Sequence, residues 1–260
     1  KNKKEKKEIS PDIYKKAIRE FEETFQFPLT VCLGGLGEPL LHSSFLEFID
    51  VALDYTYLEK IYIETALYPN IDKLLDYLGK LDESEKAKVQ FIINISTLDL
   101  EKYKSLYNPK DIGLEEILKK IDKLISVLGK DSVYVQMIKM KEIESEIESY
   151  FNTWEEKGVK IILQKYNSFA KKLPERRVSD LTPIQRDFCW HLARDLYLNY
   201  DGKVSICKQD IKKELGDLNK ESILEIWNRG KENFQNSFSG KHDLLPSPCL
   251  DCDEWYTFNA

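Results

Sequence analysis

Apolar runs and amphipathic segments alternate along the first two thirds of the chain, and this alternation constrains the fold more than any other feature. Runs such as "KIYIETA" and "VQFIINIST" are almost continuously apolar, as parallel strands covered by helices usually are. The intervening segments, such as "GLEEILKKIDKLISVLG", place apolar residues at helical spacing. The pattern therefore predicts an α/β fold in which helices connect parallel strands.

The same pattern sets the predicted domain limits. Ser10 is predicted to cap a first helix that begins at Pro11, and five strands follow: "PLTVCLGG", "KIYIETA", "VQFIINIST", "DSVYVQMIK" and "VKIILQKY". Five strands are too few for a complete eight-stranded barrel. From Lys171 the periodicity is lost in a charged segment that contains prolines. We predict a first domain over residues 1–170, a linker over 171–188 and a second domain over 189–260.

The charge and hydropathy of the chain argue against two classes of partner. Lys and Arg total 39 against 45 Asp and Glu, for a formal net charge of -6, so the composition does not indicate a nucleic-acid-binding surface. No apolar run approaches the ~20 residues that a membrane helix needs, and 42% hydrophobic residues are enough for a sizeable core. We expect a cytoplasmic protein that binds neither nucleic acid nor membrane.

Four of the five cysteines lie in the predicted second domain, at Cys189, Cys207, Cys249 and Cys252. The last two form a C-x-x-C pair, and Asp201-Gly202 predicts a hairpin turn shortly before Cys207. Such a turn would bring the cysteines close enough for four thiolates to bind one metal centre.

Other interpretations of the cysteines are a structural zinc site, disulfides or unrelated core thiols. Disulfides are disfavoured because the sequence shows no secretory features. Zinc and iron–sulfur clusters both accept four thiolates, so ligand type alone does not separate them. Cys32, which lies inside a strand pattern, is predicted to be a core thiol.

The segment "GGLGEP" follows the first predicted strand, at the edge of the sheet where ligands bind in parallel α/β folds. Gly34, Gly35 and Gly37 would allow positive φ angles and a close approach of the backbone to a ligand. The Glu38 carboxylate could accept hydrogen bonds from an ammonium group, and Pro39 would fix the exit angle of the loop. A tight turn with an exposed glutamate is the simpler interpretation of the glycines alone.

Taken together, these segments resemble one superfamily. "GGLGEPLL" resembles the glycine-glycine-glutamate-proline motif of radical S-adenosylmethionine (radical SAM) enzymes, and "CWHLARDLYLNYDGKVSICKQD", "GDLNKESILEIW" and "CLDC" resemble its cysteine-rich SPASM or twitch extension. Twelve residues separate Cys189 from Gly202 and four separate Gly202 from Cys207, which is similar to the spacing of that extension. "VQMIKM", "ILQKYNSFAKKLP" and "DLTPIQRDFCWHL" are most similar to the spirochaete-type SPASM proteins.

The resemblance implies a partial (β/α) radical SAM barrel that lacks its first strand, followed by a small cysteine-rich α+β domain. It implies that the four cysteines hold one 4Fe-4S cluster and that Asp210 acts as a proton acceptor, although a turn-forming Asp210 is an alternative. Ordinary strand-end hydrogen bonding is an alternative for Glu64, Thr65, Asn94 and Ser96. The resemblance implies that a set of loop and strand-end residues binds S-adenosylmethionine: Gly35, Gly37, Glu38, Pro39, Glu64, Thr65, Asn94, Ser96 and Gln136.

The sequence departs from the superfamily in lacking the first strand, in having no cysteine after Cys252 for a second auxiliary cluster, and in one motif. The C-x-x-x-C-x-x-C triplet that holds the SAM-cleaving cluster is absent from these 260 residues. The resemblance places this triplet just upstream of a basic loop such as "KNKKEKKE", so we expect the chain to begin after it and to be inactive by itself. A second 4Fe-4S cluster is then expected only in the full-length protein.

The activity that the resemblance implies is reductive cleavage of S-adenosylmethionine to a 5′-deoxyadenosyl radical, which abstracts hydrogen from a peptide or other substrate. Flavodoxin or ferredoxin would be the electron donor. A noncatalytic module that binds zinc or a cluster is an alternative, and metal analysis would distinguish zinc from a cluster. A conventional lyase or hydrolase is a further alternative, but His42, His191 and His242 suggest no acid–base set for such an enzyme.

Overall fold

The computed structural model describes residues 7–107, 113–179, 182–209, 212–252 and 254–256. Its helices are α1 (Pro11–Thr24), α2 (Phe45–Leu53), α3 (Asp72–Leu78), α4 (Glu83–Lys88), α5 (Leu100–Tyr107), α6 (Leu114–Leu128), α7 (Ile147–Lys157), α8 (Trp190–Arg194), α9 (Ile223–Phe238) and α10 (Ser247–Leu250). Its strands are β1 (Leu29–Leu33), β2 (Leu58–Thr65), β3 (Val89–Asn94), β4 (Val133–Lys139), β5 (Lys160–Lys165), β6 (Tyr197–Leu198), β7 (Lys203–Ser205) and β8 (Glu214–Asp217). None of the helices in these ranges has both the length and the apolar character needed to cross a bilayer.

The chain divides into two compact units. The sheet unit comprises residues 28–166 and 176–178, and the cysteine unit comprises 1–27, 167–175 and 179–260. Helix α1, which the sequence analysis assigns to the first domain, therefore groups with the C-terminal part of the chain. The domain limits at 170 and 189 stay predictions.

A parallel sheet with the order β1-β2-β3-β4-β5 forms the centre of the sheet unit. Its inner strands bury most of their apolar side chains, and Ile63, Phe91 and Val135 are fully buried. This burial supplies the main driving force for folding. All five predicted strands are present, and the predicted α/β fold with parallel strands is confirmed.

The sequence does not predict two helices of this unit, α4 and α5. Both are short, and their ends are set by capping rather than by an apolar stripe. Asp82 and Glu85 form a capping box at the start of α4, and the Asp99 carboxylate accepts a hydrogen bond from the Lys102 amide at the start of α5. Such local side-chain caps favour a helix where periodicity gives no signal.

The position of Cys32 differs from the prediction that it is a core thiol. It is exposed on β1, whereas its neighbour Val31 is buried. The prediction of a core thiol is wrong because β1 lies at the edge of the described sheet and alternate side chains of a strand face opposite sides. A strand pattern by itself does not tell which side is covered.

The cysteine unit contains an antiparallel sheet with the order β6-β7-β8. Gly202 lies in the turn between β6 and β7 with φ +81°, a conformation that favours glycine. A Cβ at this position would lie 2.3 Å from Asn219 Nδ2. The predicted hairpin at Asp201-Gly202 is therefore present, and Cys207 follows its second strand.

Helix α1 packs against α9 within the cysteine unit. Ala17 joins Val204, Leu218 and Ile226 in one apolar core. Lys16 Nζ donates hydrogen bonds to the carbonyl oxygens of Leu218 (2.5 Å) and Glu221 (3.2 Å). Apolar burial and hydrogen bonds thus fix α1 to the segment that connects β8 to α9.

A buried lysine provides a stability test in the sheet unit. Lys120 on α6 is 6% exposed, and its Nζ donates to the carbonyl oxygens of Leu67, Tyr68 and Pro69 at 3.3, 3.1 and 3.0 Å. Lys120→Met should lower the free energy of unfolding by about 2–3 kcal/mol because these carbonyl groups lose their donor. The exposed neighbour in Lys119→Met is the control, and urea denaturation is the measurement. Equal stability of the two variants would contradict this role.

Candidate functional site

The "GGLGEP" loop follows β1, and each of its three glycines has a different environment. Gly35 has φ +106°, but Gly34 and Gly37 are not in the positive-φ region, which corrects the expectation for all three. A Cβ at Gly34 would lie 2.9 Å from Glu64 Cβ, so close packing requires glycine there. A Cβ at Gly37 would meet nothing within 4 Å. Backbone strain therefore concerns Gly35 alone.

The Glu38 carboxylate connects this loop to the end of β2. Its Oε1 accepts hydrogen bonds from Thr65 Oγ1 (2.5 Å) and the Leu40 amide (3.2 Å), and its Oε2 accepts from the Ala66 amide (2.9 Å). Pro39 begins a short 3₁₀ turn that Glu38 caps. The structure thus brings Glu38 and Thr65 together and engages both carboxylate oxygens in holding the loop. Direct contact of Glu38 with a ligand stays a prediction.

A second hydrogen-bond network joins the polar side chains at the carboxyl ends of β2, β3 and β4. Asn94 and Gln136 are cross-strand neighbours, and Gln136 Nε2 donates to Asn94 Oδ1 at 2.5 Å. Both amide groups also donate to Glu64 Oε1, at 3.3 and 3.2 Å. In the described part of the chain Glu64 Oε2 accepts no hydrogen bond. These bonds therefore leave Glu64 Oε2 unengaged, and contact of Glu64 with a ligand stays a prediction.

Ser96 lies outside this network. It is buried, and its Oγ accepts hydrogen bonds from Tyr107 Oη (3.0 Å) and the Ile138 amide (3.1 Å). Both bonds hold neighbouring segments together. For Ser96 the geometry favours ordinary strand-end hydrogen bonding over ligand contact.

The four cysteines of the cysteine unit line one cavity. Cys189 precedes α8, Cys207 follows β7, and Cys249 lies on α10 with Cys252 just after it. The cavity is lined by these four residues together with Arg186, His191, Leu192, Tyr197, Lys208, Gln209, Glu254 and Trp255.

Main-chain hydrogen bonds hold three segments around this cavity. The Cys189 amide donates to Ser237 Oγ on α9 (3.0 Å), and the Glu254 amide donates to Cys252 Sγ (3.3 Å). Arg186 Nη1 donates to the Cys249 carbonyl oxygen (2.5 Å). The hairpin and the C-x-x-C pair thus bring together all four predicted ligands.

The electrostatics of the cavity disfavour four neighbouring thiolates unless a cation accompanies them. Burial, reinforced by Cys207, Cys252 and Cys189, raises the pKa of Cys249 to about 12. Burial also raises the pKa of Cys252, to about 11, and that of Cys189. A bound metal centre reverses this preference because its positive charge stabilises the deprotonated ligands.

The donor set fits a centre with four cysteine ligands. Four thiols around a buried cavity suit an iron–sulfur cluster or zinc. Within the described ranges, no group of three or more His, Cys, Asp or Glu side chains is arranged so that it could hold a metal ion. The fit therefore rests on the chemistry of the donors and on their common cavity.

The sequence analysis does not predict a histidine–aspartate pair beside the cysteines, in which His191 is buried and Asp195 is half-buried. His191 Nδ1 lies 2.6 Å from Asp195 Oδ2, and Asp195 also accepts from Arg194 Nε (2.7 Å) and Tyr197 Oη (3.3 Å). Burial alone would raise the pKa of Asp195, but the hydrogen bonds from His191 and Arg194 lower it to about 2. The available signal was the i, i+4 spacing in "HLARD", two residues after Cys189. Asp210, the predicted proton acceptor, lies outside the described residues.

Comparison with known proteins supports both the fold and the cysteine site. Residues 189–253 match the SPASM family, an iron-sulfur cluster-binding domain. An uncharacterized protein of Treponema pallidum (strain Nichols) is 38% identical over 129 residues, which are 49% of this chain and 35% of that protein. The matched region thus spans about a third of that relative's length.

Solved structures share the fold at low sequence identity. The structure of anSMEcpe with bound AdoMet has a TM-score of 0.61 at 12% identity, covering 88% of this chain and 75% of that one. BtrN in complex with AdoMet and 2-DOIA has a TM-score of 0.56 at 15% identity, covering 97% and 86%. BtrN in an open conformation has a TM-score of 0.52 at 13% identity, covering 94% and 79%.

The chain shares its fold with these solved structures. Its mixed α/β architecture, with a five-stranded parallel sheet and a small antiparallel sheet, is similar to that of the radical SAM enzymes BtrN and anSMEcpe. Residues 189–253 match the SPASM family. The resemblance that the sequence analysis draws to this superfamily is confirmed.

Proposed function

We propose that this chain is the SAM-binding and auxiliary-cluster part of a radical SAM enzyme. The observation that carries the proposal is that Cys189, Cys207, Cys249 and Cys252 line one cavity within the region that matches the SPASM family. We assign one 4Fe-4S cluster to these cysteines, because four thiolates complete its ligation.

The proposed S-adenosylmethionine site lies at the carboxyl ends of β1 to β4. Two features support it: the "GGLGEP" loop that Glu38 holds to the end of β2, and the network of Glu64, Asn94 and Gln136. The structures of BtrN and anSMEcpe that share this fold contain AdoMet. In this proposal Glu38 positions the loop, and Glu64 accepts a hydrogen bond from the methionine ammonium group.

The proposed reaction needs groups beyond this chain. A cluster with an open iron site would supply the electron that cleaves bound S-adenosylmethionine to methionine and a 5′-deoxyadenosyl radical, and the radical would become 5′-deoxyadenosine by abstracting a hydrogen atom from the substrate. These 260 residues contain no C-x-x-x-C-x-x-C triplet, so we assign the ligands of that cluster to another part of the full-length protein. We further propose that the substrate is a peptide and that flavodoxin or ferredoxin donates the electron. The protein would act in the cytoplasm, where thiols stay reduced.

Production of 5′-deoxyadenosine tests this function. The full-length protein, reconstituted anaerobically and reduced with dithionite, should convert S-adenosylmethionine to 5′-deoxyadenosine, measured by liquid chromatography. The 260-residue chain should yield none, because it lacks the triplet. Product from this chain alone would contradict the assignment of the cleaving cluster to another segment. No product from a full-length protein that holds its clusters would contradict the proposed activity.

A further inference from the structure

The segment that follows β2 contains a buried residue with a strained backbone. Leu67 has φ +60° and is fully buried, although a leucine side chain disfavours this left-handed conformation. Such residues persist only where the surrounding structure holds them, and they are frequent at ligand-binding sites. Leu67 comes directly after the end of β2, where the proposed S-adenosylmethionine site lies, so the contacts that hold it bear on that site.

Lys120 on α6 holds this segment from one side. Its Nζ donates to three consecutive carbonyl groups, those of Leu67, Tyr68 and Pro69, at 3.3, 3.1 and 3.0 Å. The Glu116 carboxylate, one turn earlier on α6, lies 3.1 Å from the same nitrogen. Because each peptide group is planar, three adjacent carbonyl oxygens bonded to one nitrogen fix the path of the backbone between them.

The other end of the same segment is bonded to Glu38. The Leu67 amide donates to Thr65 Oγ1 (2.8 Å), and this hydroxyl donates in turn to Glu38 Oε1 (2.5 Å). The Ala66 amide donates to Glu38 Oε2 (2.9 Å). A continuous series of hydrogen bonds therefore runs from Lys120 through the left-handed turn to the carboxylate that holds the "GGLGEP" loop.

Resting on the proposed S-adenosylmethionine site, we propose that Lys120 is a positioning residue for that site, which acts through residues 66–69 on Glu38 and the "GGLGEP" loop. Lys120 is buried and its Nζ is engaged by four oxygen atoms, so it acts on the ligand only through these groups. The loop packs closely against Glu64, since a Cβ at Gly34 would lie 2.9 Å from Glu64 Cβ. Without Lys120 the left-handed turn relaxes, the donors to Glu38 shift, and Glu64 is held less well for the methionine ammonium group.

Calorimetric titration of the full-length protein with two ligands tests this role. S-adenosylmethionine carries the methionine ammonium group, whereas 5′-methylthioadenosine lacks the amino acid part. Lys120→Met should weaken binding of S-adenosylmethionine about tenfold, the scale of one hydrogen bond to a charged group, and leave binding of 5′-methylthioadenosine nearly unchanged. Lys119→Met, at the exposed neighbouring position, is the matched control and should bind both ligands as the wild type does.

A second measurement needs no variant and applies even if Lys120→Met does not fold. In the wild-type protein, S-adenosylmethionine should slow hydrogen exchange both in residues 66–69 and in the turn of α6 around Lys120, and 5′-methylthioadenosine should have a smaller effect. Unchanged affinity of Lys120→Met for S-adenosylmethionine, equal losses for the two ligands, or exchange that S-adenosylmethionine does not slow would overturn the role of Lys120 and leave the proposed function intact. A full-length protein that holds its clusters but binds no S-adenosylmethionine would overturn both.

Discussion

Replacing Cys249 with serine is expected to abolish the auxiliary cluster. The wild-type chain, purified anaerobically, should be brown and contain about four iron and four sulfide ions per chain, as a cubane with four cysteine ligands requires. Cys249 is the most suitable position for the test, because it is buried and the other three thiols all raise its pKa. Chemical analysis of iron and sulfide, together with the visible absorption spectrum, is the measurement.

The fifth cysteine provides the matched control for this experiment. Cys32 is exposed on β1 in the sheet unit, so Cys32→Ser should keep the full content of iron and sulfide. Because metal binding is coupled to the folding of small cysteine-rich units, Cys249→Ser should also increase hydrogen exchange in residues 189–252 more than in the sheet. Stoichiometric zinc without sulfide in the wild-type chain would contradict the iron–sulfur assignment.

Replacing Glu64 with glutamine is expected to weaken S-adenosylmethionine binding by the full-length protein roughly ten- to hundredfold, the scale of ~1.5–3 kcal/mol for one hydrogen bond to a charged group. Glutamine retains an oxygen for the amides of Asn94 and Gln136, so the network can persist. What the variant loses is the negative charge that Oε2 offers to an ammonium group. Calorimetric titration of the reconstituted protein measures the effect, and circular dichroism checks the fold.

The loop before Glu38 supplies the companion variants. Glu38→Ala should reduce the affinity to a similar extent, because the loop loses its hydrogen bonds to Thr65 and Ala66. Gly35→Ala should also lower the affinity for S-adenosylmethionine, because φ is +106° there and L residues rarely adopt that angle. Gly37→Ala is the control, because the added methyl group meets open space. Wild-type affinity in both glutamate variants would support the simpler interpretation of a tight turn.

The features that the sequence predicted correctly depend on local patterns. The five strands appear where continuous apolar runs lie between turn residues, and the Gly202 hairpin appears where Asp-Gly requires a tight turn. The spacing of Cys189, Cys207 and the C-x-x-C pair was likewise enough to indicate one common site. In each case the signal is carried by residues close together in the chain.

The features that the sequence did not predict depend on contacts between distant segments. Lys120 has the spacing of a core position on α6, and only the loop carbonyl groups opposite it explain its burial. Cys32 looks like a core residue until the order of the strands places β1 at the edge. The burial of His191 likewise depends on the cavity that the four cysteines line, which no pattern along the chain describes.

The packing of α1 against α9 has a consequence for the order of events at the ribosome. The two helices share a hydrophobic core and are joined by a hydrogen bond from the Ile223 amide to Glu20 Oε2 (2.7 Å), although some two hundred residues of chain separate them. Synthesis proceeds from the N-terminus at about 5–20 residues per second, so α9 is synthesised at least about ten seconds after α1. The five strands of the described sheet lie between residues 28 and 166 and are synthesised well before that. The cysteine unit thus matures late, and α1, which is synthesised before these strands, finds its place only after α9 has been made.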